Sequence, residues 1–406
     1  MILFKDDSSQ GRQKVMAHHK RVFIVHAKRT PFGKFGGQLG GFTPVDLAVV
    51  ASQGLLSDMK LDPESIDQVL FANVIPSTPD TLYAGRHLAL KCGLKVSTPG
   101  AVINRLCGSG IQVILDAARL IKMGEASSVL VAGAETMSLV PHLVYGGRFG
   151  TKYGGLKSQD LLLDTLTDQY VQTPMGITAE QLSQDYQISK AESDMYSYQS
   201  HKKAAQAYAE GLIQPEIIPV SKDKIHCERD EHLRQDVSLA DMQKLKPTFK
   251  KDGIVTAGSA SGIVDGAASM LIADEEFIKS HNLTPISEII DGHVVGVDPK
   301  IMGIGPVPAI QKLLEKQNKK VEDIDLFEIN EAFAPQVMAC QKALNIPDEK
   351  LNIWGGAIAL GHPLGATGIK ISLTLSRQLK HLKKDWGIAS ACIGGGQGIA
   401  LLIKKL

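Results

Sequence analysis

The sequence predicts an α/β fold built from two duplicated halves with a large insertion between them. Three observations carry this. Short apolar strands alternate with helices towards both ends of the chain, the two ends echo each other, and the middle loses the alternation. The 406 residues predict two or three domains at ~100–200 residues each.

Residues 1–20 are polar and mixed in charge, without an apolar h-region, and read as a flexible tail; Asp6 and Asp7 speak against a mitochondrial transit peptide. Order begins at Arg21. Val22-Phe23-Ile24-Val25 reads as a buried strand. Thr43-Pro44 opens a helix, because Thr43 can cap it and proline suits its first position. Ile66 to Asn73 is the next strand, Gly110 to Met123 a helix, and Val129 to Gly133 a further strand. Residues 137–263 are richer in polar and aromatic residues, with helical stretches such as Ser193 to Glu210, and read as an insertion packed on the core. Alternation resumes near Ile286. The domains expected are therefore 21–136 with 264–285, the insertion 137–263, and 286–406.

The duplication shows in three pairs of segments. Ser65–Asn73 resembles Asp323–Asn330, the Cys107-Gly108-Ser109-Gly110 turn resembles Gly361–Gly368, and Ser128–Gly133 resembles Gly387–Cys392. Each pair is separated by about 255–260 residues, as a duplicated unit requires. Symmetric halves bring equivalent turns face to face, a natural place for a site.

Composition excludes several classes. Lys and Arg number 44 against 43 Asp and Glu, a net charge of +1, which argues against a nucleic-acid binder. No apolar run approaches the ~20 residues that span a bilayer. The five cysteines are odd in number, widely spaced and without CxxC, so neither a disulfide framework nor a metal site is expected. A reducing compartment follows: the cytoplasm, with the mitochondrial matrix as the alternative.

Four segments carry chemistry. Cys107 stands in a glycine-flanked turn before a helix, where the dipole and unpaired N–H groups favour a thiolate. His362 occupies the duplicate of that position, inside a run of small residues from Gly355 to Gly368, and could accept a thiol proton. Asn330, at a strand end, can hydrogen-bond a substrate oxygen, although a lone Asn is more often a turn or cap residue. Cys392 precedes Gly394-Gly395-Gly396, whose N–H groups could serve an oxyanion. No Lys-Ser/Thr follows those glycines, so they do not form a phosphate loop.

These four segments, in this order, resemble the thiolase superfamily. The resemblance runs from about Arg21 to the C-terminus and includes Lys28–Gly33 and Thr256–Gly262. Within the superfamily, Arg148–Lys152, Leu166–Gln169 and Ile301–Ile310 are most similar to mitochondrial-type 3-ketoacyl-CoA thiolases. The resemblance implies an αβαβα layering of two half-domains, a loop domain over the active site, and a homodimer or homotetramer. It implies Cys107 as the acylated nucleophile, His362 as its base and Cys392 as the second proton carrier. It implies Asn330 beside an oxyanion-hole water, Gly394 in the other oxyanion hole, and Arg234 and Ser261 as coenzyme A contacts. Coenzyme A would be a co-substrate, with no permanently bound cofactor and no metal. Pro174 stands where short-chain biosynthetic thiolases have a histidine, and Val237 where a hydroxyl residue approaches coenzyme A. The activity implied is thiolysis of 3-ketoacyl-CoA. The alternatives are acetoacetyl-CoA synthesis by the reverse reaction and a non-catalytic acyl-CoA- or lipid-binding relative.

Overall fold

The computed structural model describes residues 20–406; the tail expected over residues 1–20 lies, but for Lys20, outside the described residues. Strand β1 (Val22–Arg29) leads to helix α1 (Pro44–Met59), which Thr43 caps by accepting from Asp46 N at 3.1 Å. Then come β2 (Gln68–Ala72), β3 (Gly100–Ile103), α2 (Ser109–Lys122) and β4 (Ser128–Thr136). Residues 137–263 leave the sheet here. They contain α3 (Met175–Asp185), α4 (Lys190–Ala209) and three small two-stranded pairings. A capping box of Ser189 and Glu192 fixes the start of α4. The chain re-enters as β5 (Val264–Asp274), which pairs antiparallel with β4 from Asp265↔Thr136 to Ala273↔Ser128.

The second half follows as β6 (Ser287–Gly296), α5 (Pro306–Lys316), β7 (Leu326–Ile329), α6 (Ala334–Leu344), α7 (Leu364–Leu382), β8 (Trp386–Ile393) and β9 (Gln397–Lys405). The sheet order is β7-β8-β9-β6-β1-β5-β4-β2-β3. The halves join where Phe23 and Ile24 of β1 pair with Glu288 and Ser287 of β6.

The duplication is visible bond by bond. Parallel β2·β4 matches parallel β7·β8, and antiparallel β4·β5 and β5·β1 match β8·β9 and β9·β6. A register shift falls between Ile24 and His26 in one half and between Ile289 and Asp291 in the other. The Asp67 carboxylate accepts from Ser127 N and Ser128 N at 2.8 and 3.1 Å; the Asp325 carboxylate accepts from Asp385 N and Trp386 N at 3.0 Å each. The halves differ at one strand. The partner of β3 in the second half has shrunk to a single parallel bridge, Phe327↔Leu351.

Helices α2 and α7 lie between the two halves of the sheet. One apolar core joins Ile111, Ile114 and Ile121 of α2, Ile369 and Leu373 of α7, Val131 of β4 and Leu401 of β9. A second core packs α1 on the outer face of the first half, and a third packs α5 and α6 on the outer face of the second. The layers are therefore αβαβα. Nearly the whole first three turns of α2 are buried, from Ser109 to Ala118, because the helix is covered on both sides. The crossing of α2 and α7 requires glycine. A Cβ on Gly110 would stand 2.7 Å from Gly368 N, and one on Gly368 would collide with Ile111 N.

Candidate active site

The Cys107 turn is held in a strained shape. Leu106, just before it, has φ +45°. Its N–H donates to Asn104 Oδ1 at 2.9 Å, and its carbonyl accepts from Ser109 Oγ at 2.7 Å. Arg105 pins the turn to both halves, donating to Gln112 Oε1 at 2.7 Å and to Gln397 Oε1 at 2.8 Å. The thiol is therefore presented from a backbone with little freedom.

The structure brings Cys107, His362, Gly394 and Ser261 to one largely apolar cavity. Its other walls are Leu106, Thr165, Leu166, Met175, Met302, Ala332, Phe333 and Leu364. Ser261 arrives through pairing of its segment with the strand end after Asn330: Ser261 N donates to Ala332 O at 2.9 Å and Ala334 N to Ser259 O at 2.8 Å. Pro174 is exposed and not in the wall; the next residue, Met175, is. Any influence of position 174 on an acyl pocket therefore passes through its neighbours, Met175 and, across the Thr167↔Pro174 pairing, Leu166. Arg234 is exposed and outside this wall, its N–H donating to His201 Nδ1 at 3.3 Å. Val237 is half-buried, also outside the wall.

The expected thiolate is corrected by the structure. Burial pushes the Cys107 thiol up to about 11, outweighing the N–H groups of Gly394 and of Cys107 itself that favour the thiolate. The helix N-terminus is real, but the apolar wall around the partly exposed sulfur weakens the solvation of a charge. At neutral pH Cys107 rests protonated and needs a base.

His362 is suited to that need. Burial lowers it to about 4, so it is neutral at pH 7. Its Nδ1 lies 2.6 Å from Thr367 Oγ1, and that hydroxyl donates to Pro363 O at 3.0 Å. With its proton committed, the hydroxyl accepts from Nδ1–H, which assigns the tautomer and leaves a lone pair on Nε2. Asn330 Nδ2 faces that Nε2 at 3.4 Å. Asn330 is itself buried, its N–H donating to Ser390 O at 2.9 Å.

Cys392 is fully buried at the end of β8 and does not line the cavity. It is close enough to Cys107 for the two charges to oppose each other, and burial raises it well above an ordinary thiol. Two residues that sequence reasoning missed complete the site. Thr367 orients the imidazole. Glu135, at the end of β4, accepts from Asn73 Nδ2 and Ile75 N at 2.9 Å each and from Gly365 N at 2.9 Å, binding the first half to the start of α7. Its signal was a carboxylate in the apolar run Ser128–Thr136. Among the described residues no His, Cys, Asp or Glu cluster is placed to hold a metal, and no helix is long and apolar enough to cross a membrane.

Known proteins share this plan. The family model for the thiolase N-terminal domain matches residues 22–276 and that for the C-terminal domain residues 283–405. The chain is 47% identical over 395 residues to the human protein named 3-ketoacyl-CoA thiolase, mitochondrial, covering 96% of this chain and 100% of that one. It is 43% identical over 392 residues to a probable acetyl-CoA acyltransferase of Staphylococcus aureus, covering 95% and 99%. The crystal structure of the human mitochondrial 3-ketoacyl-CoA thiolase in complex with CoA superposes with a TM-score of 0.94 over 95% of this chain and 98% of that one, at 47% identity. The acetyl-CoA acetyltransferase of Bacillus anthracis gives 0.92 at 40% identity, over 96% and 99%. With both halves matched end to end, the chain belongs to the thiolase family.

Proposed function

We propose that this chain cleaves 3-ketoacyl-CoA with coenzyme A, giving acetyl-CoA and a shortened acyl-CoA. One observation carries the reading: a protonated thiol, a neutral imidazole and the Gly394 N–H converge on one apolar cavity. His362 Nε2 takes the Cys107 proton, and the sulfur attacks the 3-keto carbon. The C2–C3 bond then breaks, its electrons leaving as the acetyl-CoA enolate, which Cys392 protonates. The acyl group stays on Cys107. In the second half, Cys392 takes the proton of incoming coenzyme A, whose sulfur displaces the acyl group from Cys107, and His362 returns its proton to the freed Cys107 sulfur. The N–H groups of Gly394 and Cys107 stabilise one oxyanion, Asn330 and His362 the other. Coenzyme A as co-substrate is supported by the CoA complex of the human relative, with Ser261 the better placed of the two expected contacts and Arg234 the outer one.

Acetyl-CoA labelling tests this. Peptide mass spectrometry is expected to find the acetyl group on Cys107; an adduct confined to Cys392 would exchange the two thiols' roles. The likeness to the Bacillus anthracis acetyltransferase favours a second reading, in which condensation of two acetyl-CoA is the main reaction. Rates of thiolysis across acyl lengths separate the two.

We assign residues 137–263 to a domain covering the coenzyme A site, between halves 21–136 with 264–285 and 286–406. The support is that β4 and β5, at its two ends, are paired neighbours in one sheet. A homo-oligomer is supported by the exposed edge strand β3, with Val102, Val96, Leu82 and Tyr83 exposed around it. The relatives named as mitochondrial favour the matrix over the cytoplasm.

A further inference from the structure

Behind the Asn330–His362 pair, away from the substrate cavity, lies a small internal cavity with room for about one water. Its walls include Glu328, Asn330, Glu331, Thr367 and Lys370. Lys370, on α7, is only 5% exposed. A buried ammonium is costly unless it is paired or hydrogen-bonded. Glu328 and Glu331 are the charged groups that line the cavity with it; Glu331 is taken up by Tyr196, Ser200, Asn352 and the N–H of Ile358, and among the described residues no direct ion pair joins Lys370 to either carboxylate. Glu328 instead accepts from Gln378 Nε2 at 2.8 Å. Asn330 Oδ1, also fully buried, meets no donor among the described residues.

These facts bear on which way the Asn330 amide points. A carboxamide has two orientations of nearly equal shape, and only one offers N–H to His362 Nε2. The other would set oxygen against the Nε2 lone pair and remove the donor from the reactive side. An ammonium in the same cavity favours the orientation that turns the amide oxygen into it, where Oδ1 has no other donor among the described residues, since an amide dipole turns its oxygen towards a cation. One water donating to Oδ1 and accepting from the ammonium would satisfy both groups.

We propose that Lys370 is a positioning residue, which acts through one water in this cavity to hold Asn330 Oδ1 towards α7 and Asn330 Nδ2 towards His362. The proposal rests on the role given above to Asn330, and it adds what fixes that residue's orientation. Lys370 touches no substrate.

A double-mutant cycle on kcat for acetoacetyl-CoA thiolysis tests it. Deleting an oxyanion donor costs roughly 10²–10³-fold, and Asn330→Ala is expected in that range. Lys370→Met should lower kcat by about tenfold, part of that loss, while the KM for coenzyme A stays within about twofold. Lys370→Arg, which keeps the charge, should recover most of the rate. In the Asn330→Ala background Lys370→Met should cost nothing further, because its target is gone. An unchanged kcat in Lys370→Met overturns the proposal, as does an equal loss with and without Asn330. Should Lys370→Met fail to fold, Lys370→Gln serves in the same cycle with the same outcomes. An Asn330→Ala enzyme of full rate would instead remove the assignment beneath the proposal, so the two failures are told apart.

Discussion

His362 works as a base because its surroundings keep it uncharged, and that gives a pH signature. With its value lowered from 6.5 to about 4 by burial, the neutral form persists well into acid. Acylation by acetoacetyl-CoA should hold level from neutrality down to about pH 5. An acid limb centred near 6.5 in single-turnover kinetics would show an imidazole in contact with water. The same shift bears on stability. Unfolded histidine takes up a proton as pH falls below 6.5, while folded His362 does so only near 4, so folding loses free energy across that window. Replacing His362 by alanine should slow acylation by on the order of 10²-fold or more, with little change in affinity for coenzyme A. Near-normal turnover would make the residue structural. Cys107, His362 and Gly394 stood out in the sequence because glycines lie beside them and the internal repeat relates two of them, whereas Asn330 stood out only at its strand end and through the family resemblance. Thr367 was not, since a threonine in the first turn of a helix has no distinguishing neighbour. The protonation of Cys107 was misread, because the N–H groups are local in sequence whereas the wall that desolvates the thiol comes from Met175, Met302 and Phe333.

At the scale of elements, β1 ends in a buried arginine that ties the insertion to the core. Arg29 donates to Asp230 at 2.7 and 2.9 Å and to Glu216 at 3.1 Å. Tyr208 of α4 donates to Asp230 at 2.7 Å, and Thr374 of α7 to Glu216 at 3.0 Å. Truncating Arg29 to methionine leaves buried Asp230 without its cation and Glu216 with only Arg377, at 3.9 Å, a loss of about 3–5 kcal/mol. The expected result is a melting temperature lower by several degrees and faster protease cleavage between 210 and 235. A midpoint within about 2 °C of wild type would mean that the carboxylates find other partners. The sequence revealed the elements here but not this tie. Thr43-Pro44 marked a helix start to the residue, whereas nothing local links Arg29 to Asp230, some two hundred positions away.

For the whole molecule, the meeting of the halves depends on Gly110 of α2 and Gly368 of α7, which touch each other. Gly368→Val should drive α2 and α7 apart and yield little soluble, folded enzyme, since overpacking typically costs 1–3 kcal/mol where the core can yield, and here the obstacle is backbone. Recovery of native circular dichroism with normal activity would show that the helices can slide. Tolerance of medium acyl chains is a property of the assembled cavity too. Apolar walls from both halves and the insertion predict that kcat/KM rises beyond the four-carbon substrate, by about 0.8 kcal/mol for each methylene buried. A sharp maximum at four carbons would make condensation the better description. The duplication was readable from spacing alone, whereas the loss of one strand in the second half was not, because Leu351 keeps the apolar character of the strand it replaces.

That lost strand bears on how copies of the molecule could join. Asn352, just after the Phe327–Leu351 bridge, lays its side-chain amide along β7, accepting from Ile329 N and donating to Ile329 O at 2.9 Å each. Its backbone N–H meets Phe327 O at 3.0 Å. The far margin of the sheet is thus stoppered by its own chain, while β3 at the opposite margin stays open. A sheet open at both margins could add copies without limit and grow into a filament. In the homo-oligomer proposed above, joining through β3 would use the one open margin of each molecule and so would stop at a closed pair.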